Sequence, residues 1–188
     1  MTRTEEALRL IKASMAGKNG IVVAIDGPCA SGKTTLVKTL SDELSCPVIH
    51  MDQFFLRPEQ RTPHRLAEVG GNLDRERFKA EVLTPLLERK ECVYRPFVCS
   101  TMSLGEPIAV KKSPVILIEG SYSCHPDLRD AYDLCLYTSV SREEQEKRLL
   151  LREGEEKLAV FKAKWIPMEE AYFKAFDIAS HCHVLGGE

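Results

Sequence analysis

The sequence has no long apolar run. Its apolar stretches stop at strand length, far short of the roughly 20 residues that cross a bilayer. No apolar segment follows a basic start, so no secretory signal is expected. It has no basic tail or patch either. The 26 Lys and Arg mix with 28 Asp and Glu along 188 residues, for a net charge of −2. That balance argues against a nucleic-acid or membrane-surface partner. No segment repeats and none is of low complexity. The seven cysteines, at 29, 46, 92, 99, 124, 135 and 182, contain no C-x-x-C pair. The odd count and the missing pairs point to reduced thiols in a cytoplasmic chain rather than a disulfide framework. His181-Cys182-His183 is a run of metal-ligand types, but immediate neighbours rarely converge on one ion, so no zinc is expected there.

What is present is concentrated between residues 21 and 44. Gly27-Pro28-Cys29-Ala30-Ser31-Gly32-Lys33-Thr34 fits G-x-x-x-x-G-K-[ST] completely. Ile21 to Ile25 before it is short, apolar and β-branched, which predicts a buried strand. Leu36, Val37, Leu40 and Leu44 after it recur at helical spacing. A glycine-rich turn between strand and helix aims backbone N–H groups at an anion, at the positive end of the helix dipole. Gly27, Ala30, Ser31, Gly32, Lys33, Thr34 and Thr35 are therefore the expected nucleotide contacts. Lys33 is expected to reach the β- and γ-phosphates, and the Thr34 hydroxyl to hold Mg²⁺. The implied cofactors are ATP and Mg²⁺. Cys29 sits inside the loop, where it reads as a small tolerated residue whose oxidation would obstruct the nucleotide.

The rest of the chain alternates strands and helices. A helix is predicted over Thr2 to Ala16, within an N-terminal segment 1–19. A second strand, Pro47 to Met51, ends at Asp52. Gln53 to Gly71 carries Pro58, Pro63, Gly70 and Gly71 and reads as a long irregular loop. A helix opens at Leu73 with Asp74 as N-cap. Cys92 to Val98 and Glu106 to Val110 predict a hairpin inserted at about 92–112, with Ser103-Leu104-Gly105 as its turn. Strands follow at Val115 to Ile118, closed by Glu119, and at Leu134 to Val140. Ser141 caps a helix that starts a short lid, about 141–157, and continues to about Ala179. His183 to Leu185 is a last strand. The length suits one α/β domain over 1–188. The expected fold is a P-loop NTPase three-layer sandwich: a parallel sheet with helices on both faces, a small inserted β-hairpin and a short helical lid. Such sheets bind ligands beyond the carboxyl ends of their strands, where Asp26, Asp52 and Glu119 fall.

These carboxylates suggest phosphoryl transfer. An acceptor hydroxyl needs a carboxylate to orient it and take its proton, and Asp52 is the expected base. Glu119, with Thr34, is expected to help hold Mg²⁺. Asp26 either contacts the acceptor or satisfies loop N–H groups. Arg148 and Arg152 lie one helical turn apart and, with Arg142, can form a lid over the phosphates. The alternative is a solvated face, because Glu143, Glu144, Glu146 and Glu153 surround them. Trp165 is assigned to the core rather than to base stacking.

Several segments together resemble the uridine kinase family of P-loop nucleoside kinases, and more loosely nicotinamide riboside kinase, phosphoribulokinase and bacterial pantothenate kinase. The carriers, over roughly 20 to 185, are AIDGPCASGKTTL, HMDQFF, GGNLDRERF, VYRPFV, LIEGSY and EKRLLLRE. The resemblance implies that Asp52 is the base for a 5′-hydroxyl and that Asp74 grips the ribose hydroxyls. It also implies that Tyr94 holds the base and that Arg148 and Arg152 belong to the lid. Uridine kinases carry a pyrimidine-reading histidine a few residues after the tyrosine. Cys99, Ser100 and Thr101 stand there instead, so the resemblance does not extend to pyrimidine recognition. The expected activity is transfer of the γ-phosphate to a primary hydroxyl of a small metabolite, most of all a nucleoside. One alternative is a phosphorylated acceptor, for which Arg57, Arg61, Arg65, Arg75, Arg77 and Arg95 offer charge. Another is a non-catalytic ATP switch. The chain lacks the N-K-x-D run of a GTPase switch. The partner is a small-molecule acceptor, and a homo-oligomer is compatible with the sequence.

Overall fold

The computed structural model describes residues 1–186. In chain order the elements are α1 (Arg3–Ser14), β1 (Ile21–Asp26), α2 (Lys33–Leu44), β2 (Val48–His50), α3 (Pro63–Ala67), α4 (Arg75–Phe78) and α5 (Thr84–Leu87). Four short strands follow: β3 (Cys92–Tyr94), β4 (Phe97–Val98), β5 (Ser103–Leu104) and β6 (Ile108–Val110). Then come β7 (Val115–Glu119), α6 (Pro126–Arg129), β8 (Leu134–Thr138), α7 (Arg142–Glu153), α8 (Glu155–Val160), α9 (Ile166–Ala175) and β9 (His183–Leu185).

Five strands pair in the order β2-β7-β1-β8-β9, and every pairing is parallel. Central β1 is buried along its whole length, which is why it reads as an unbroken apolar run. Its side chains alternate between two cores. Ile21, Val23 and Ile25 pack with Ala7 and Ile11 of α1 and Leu36, Val37 and Leu40 of α2. Val22 and Ala24 face Phe54, Phe78, Val82, Tyr172 and Ile178 on the opposite side. Helices therefore cover both faces, giving the three layers expected. Each fully buried Ile, Leu or Phe contributes about 1.5–3 kcal/mol. The Thr2 side chain accepts from Glu5 N–H while the Glu5 carboxylate accepts from Thr2 N–H, a capping box that starts α1. Among the described residues no helix is long and apolar enough to cross a membrane.

Three local expectations are corrected. The 53–71 stretch is not irregular: it holds 3₁₀ turns at Met51–Phe54 and Pro58–Gln60 and the helix α3. Pro63 sits in the first turn of α3, where its missing N–H is no loss. The 92–110 insertion is two ribbons. β3 pairs with β6 and β4 with β5, so Ser103 and Leu104 are strand and the turn falls at 99–102. The long helix after Ser141 is broken at Gly154, whose φ of 83° ends α7 before α8 begins. A π-helical turn, Phe161–Trp165, then joins α8 to α9.

Candidate active site

The phosphate loop leaves β1 at Gly27 with φ 144°, and a Cβ there would collide with the Thr138 carbonyl oxygen. Gly32, at φ 91°, caps α2 without a side chain, which leaves the first N–H groups of α2 open to an anion. Lys33 folds over the loop, its Nζ donating to the carbonyls of Gly27 at 2.8 Å and Pro28 at 2.9 Å. A cavity of about 210 Å³ is lined by Ala30, Gly32, Lys33, Thr34, Thr35, Arg148 and Arg152. Gly27 and Ser31 do not reach it. Ser31 is fully buried, its hydroxyl 2.6 Å from that of Thr138, and serves the shape of the loop.

The loop stands on a buried carboxylate. Asp26 accepts from Gly27 N–H at 2.7 Å with one oxygen, and from Cys124 N–H and the Tyr172 hydroxyl, each at 2.8 Å, with the other. Both oxygens are thus engaged, so of the two roles open to Asp26 the geometry supports holding the loop. Burial pushes its carboxyl up to about 6, against those three donors. Glu169 of α9 supports the loop from above: it accepts from Cys29 N–H and from the Ser121 hydroxyl, each at 2.8 Å. Gln145 donates to the Cys29 carbonyl, and Arg3 of α1 to that of Ser31. Burial, with the Glu169 charge beside it, pushes the Cys29 thiol up to about 12, so it is a poor nucleophile near neutrality.

Beyond the strand ends a larger cavity of about 780 Å³ opens. Lys33, Thr34, Asp52 and Glu119 all line it, so the phosphate loop and the two strand-end carboxylates share one space. The Thr34 hydroxyl donates to Glu119 Oε1 at 3.4 Å. The other oxygen of Glu119 lies 2.7 Å from His50 Nδ1, and this hydrogen bond raises the imidazole above its ordinary pKa. Burial raises the Asp52 carboxyl too, with the nearby Glu119 charge adding to the effect against that of His50. Hydroxyl and carboxylate oxygens side by side suit a hard divalent cation such as Mg²⁺.

Two expected substrate contacts lie behind this wall rather than in it. Asp74 is 1% exposed. Its Oδ1 accepts from Arg77 N–H, and its Oδ2 lies 3.4 Å from Arg77 Nε without a hydrogen bond. Tyr94, also buried, donates to Gln53 Oε1 at 2.7 Å. Gln53 and Asn72 line the cavity where those two do not, and the Asn72 Oδ1 is buried without a partner. Trp165, assigned to the core from sequence, is instead part of the cavity wall, with Lys164 Nζ 4.5 Å from its ring centre. It sits at the end of the π turn Phe161–Trp165.

The arginines divide. Arg152 lines both cavities. Arg148 holds the loop, donating to the Ala30 carbonyl at 3.2 Å and to Glu144 at 2.8 Å. Arg142 is paired with Glu146 and Glu170, so of the three arginines only Arg148 and Arg152 line the cavity at the phosphate loop.

Two solved structures superimpose on nearly the whole chain. A possible uridine kinase from Bacillus stearothermophilus matches with a TM-score of 0.70 at 21% identity, over 98% of this chain and 97% of that one. A candidate fructose transport system kinase from Silicibacter sp. TM1040 matches with a TM-score of 0.75 at 22% identity, over 93% and 95%. The chain has the P-loop kinase fold. A cytidylate kinase from Geobacter sulfurreducens is 51% identical over 39 residues, which span 21% of this chain and only 16% of that protein. No protein-family model matches the chain.

Within this P-loop kinase fold, sequence reasoning missed Glu169, Ser121, Gln145, Gln53, Asn72 and His50. Glu169 and Tyr172 are three apart in a helical segment, so their shared face toward the loop was in principle visible. What they bind lies 48 to 146 residues upstream, and no local pattern encodes it.

Proposed function

We propose that this chain is an ATP- and Mg²⁺-dependent kinase that transfers the γ-phosphate to a primary hydroxyl of a small metabolite, the 5′-hydroxyl of a nucleoside above all. The observation that carries this reading is that Asp52, a carboxylate raised by burial, shares one cavity with Lys33 and Thr34. A raised carboxyl is a stronger base, and a base must stand within reach of the hydroxyl it deprotonates. Asp52 orients the acceptor hydroxyl and takes its proton as the oxygen attacks. Lys33 leaves its carbonyl partners for the phosphate oxygens, and Arg148 and Arg152 meet the charge from the lid side. The Thr34 hydroxyl and Glu119 would hold Mg²⁺, which would supply charge neutralisation on the phosphates. The unpartnered Asn72 Oδ1 suits a hydroxyl donor on the acceptor. Tyr94 positions Gln53. The superposed relative described as a possible uridine kinase supports the nucleoside reading.

A phosphorylated acceptor is disfavoured by where the arginines are. Arg61 alone of the six candidates lines the cavity. Arg65 is tied to Glu76, Arg75 to Asp127, Arg77 to Glu81, and Arg95 to backbone carbonyls of the ribbon.

The test is ATP consumption with Mg²⁺ against uridine, cytidine, other nucleosides, nicotinamide riboside and pantothenate, with nucleoside monophosphates alongside. Stimulation by an unphosphorylated acceptor is expected. Stimulation by monophosphates alone transfers the chain to the nucleotide kinases, and tight ATP binding without turnover on any acceptor favours the switch.

A further inference from the structure

A second cluster of reactive groups lies on the far side of Asp26 from the nucleotide. The sulfur atoms of Cys124, Cys135 and Cys182 all lie within 4.8 Å of one another. They come from three separate places: the turn before α6, strand β8, and the residue before β9. β8 and β9 run parallel with Leu136 opposite His183, so Cys135 and Cys182 are neighbours across the sheet. Cys124 is fully buried, and the other two are half-buried. All seven cysteines are free thiols, but these three alone converge among the described residues.

Two neighbouring polar groups have no internal role. The Tyr132 hydroxyl and the Arg129 Nη1 are both buried without a hydrogen-bond partner. Tyr132 lies near enough to feel charge on Cys124 and Cys135, and the Arg129 cation favours a thiolate at Cys135.

We propose that Cys124, Cys135 and Cys182 form a three-thiolate site for one zinc ion. Thiolates are soft ligands, and zinc and monovalent copper are the common cations that take them. Charge selects between the two. Three thiolates and Zn²⁺ leave a net −1, which the unpartnered Arg129 guanidinium offsets, whereas Cu⁺ leaves −2. Tetrahedral Zn–S bonds of about 2.3 Å place the sulfurs roughly 3.8 Å apart, an inward shift of about 1 Å at most, within side-chain rotation. On binding, up to three S–H bonds break, three Zn–S bonds form and the protons leave to solvent. The fourth position falls to water, and the Tyr132 hydroxyl is available to hydrogen-bond the water or a thiolate. His181 and His183 are exposed and outside the cluster, so the ligand run visible in the sequence contributes only its cysteine. The ion ties β8, β9 and the turn carrying Cys124 together, and Cys124 N–H is bonded to Asp26 under the phosphate loop. The site is independent of the acceptor and of turnover.

The test uses the reduced full chain and zinc alone, titrated against a chromogenic chelator. Wild type and Cys99→Ser are expected to take up one equivalent and to melt at a higher temperature with zinc than without. Cys135→Ser and Cys182→Ser are expected to lose at least tenfold in zinc affinity. Cobalt(II) in place of zinc gives sulfur-to-metal charge-transfer absorption whose intensity counts the thiolates, and three are expected. That spectrum of the wild type decides the matter if a serine variant does not fold. No uptake by the reduced wild type overturns the proposal. So does uptake unchanged in both serine variants, a cobalt spectrum with fewer than three thiolates, or tighter retention of Cu⁺ with no binding of zinc.

Discussion

Beneath the phosphate loop, buried polar groups are already matched inside the chain. Asp26 accepts three hydrogen bonds, Ser31 meets Thr138, and Glu169 accepts from Cys29 N–H and Ser121. On the acceptor side, between the 53–74 segment and the ribbons, the matching stops short. Asn72 Oδ1 is buried without a hydrogen bond, and Asp52 is raised by burial. An unmatched buried acceptor costs about 1–3 kcal/mol, and a ligand that supplies the donor recovers it. The contrast assigns two jobs. The loop side is finished before anything binds and sets the position of the phosphates. The acceptor side is left incomplete, and the incompleteness is what selects a hydroxyl-bearing partner.

The strongest way to break this comparison is Asp52→Asn. If Asp52 is the base, turnover falls by about 10²–10⁴-fold while an ATP analogue binds as before. Equal losses in analogue binding and turnover would place Asp52 with the finished side instead. Asp26→Ala tests the loop side. It strands the Tyr172 hydroxyl and two backbone N–H groups in a fully buried space, so a loss of about 3 kcal/mol or more is expected in chemical denaturation. A loss under 1 kcal/mol would mean that the loop does not rest on this carboxylate.

Asn72→Ala sharpens the acceptor side with a smaller effect. It removes an oxygen that has no partner and one contact of the amide with the Tyr122 hydroxyl, so the free protein should lose no more than about 1 kcal/mol. The acceptor KM should rise by about tenfold, worth 1.4 kcal/mol, with kcat nearly unchanged. A large loss of stability with an unchanged KM would show Asn72 to be structural.

The finished side was also the more legible one, up to a limit. The loop, β1 and α2 are local in sequence, and their pattern needs only neighbouring residues. Glu119 and Asp52 were found because parallel sheets present ligands at strand ends. Asp26, Glu169 and Tyr172 meet across more than 100 residues, and Cys124, Cys135 and Cys182 meet across three elements. Nothing in the spacing of either set announces the meeting. Two misreadings have simple causes. Pro58 and Pro63 read as breakers, yet each sits in the first turn of a short helical segment, where proline fits. Trp165 reads as core rather than as a base-stacking residue, yet it stands in the cavity wall at the end of the π turn before α9.

The gentlest test is Tyr172→Phe, read as a function of pH. Burial raises the Asp26 carboxyl from 3.8 to about 6 in the folded chain. Its contribution to stability is therefore present below pH 3.8 and is lost as pH rises through about 6. The Tyr172 hydroxyl donates to the charged carboxylate and holds that value down. Removing it raises the folded value further, so the extra loss appears above about pH 6 and not below pH 4. The expected cost near pH 7.5 is on the order of 1 kcal/mol, fading as Asp26 protonates. Denaturation midpoints of the two proteins across pH 4–8 should thus diverge on the alkaline side. A constant offset at every pH would mean that the Tyr172 hydroxyl stabilises the fold equally whatever the charge on Asp26, and the hydrogen bond would not be what holds the Asp26 carboxyl down.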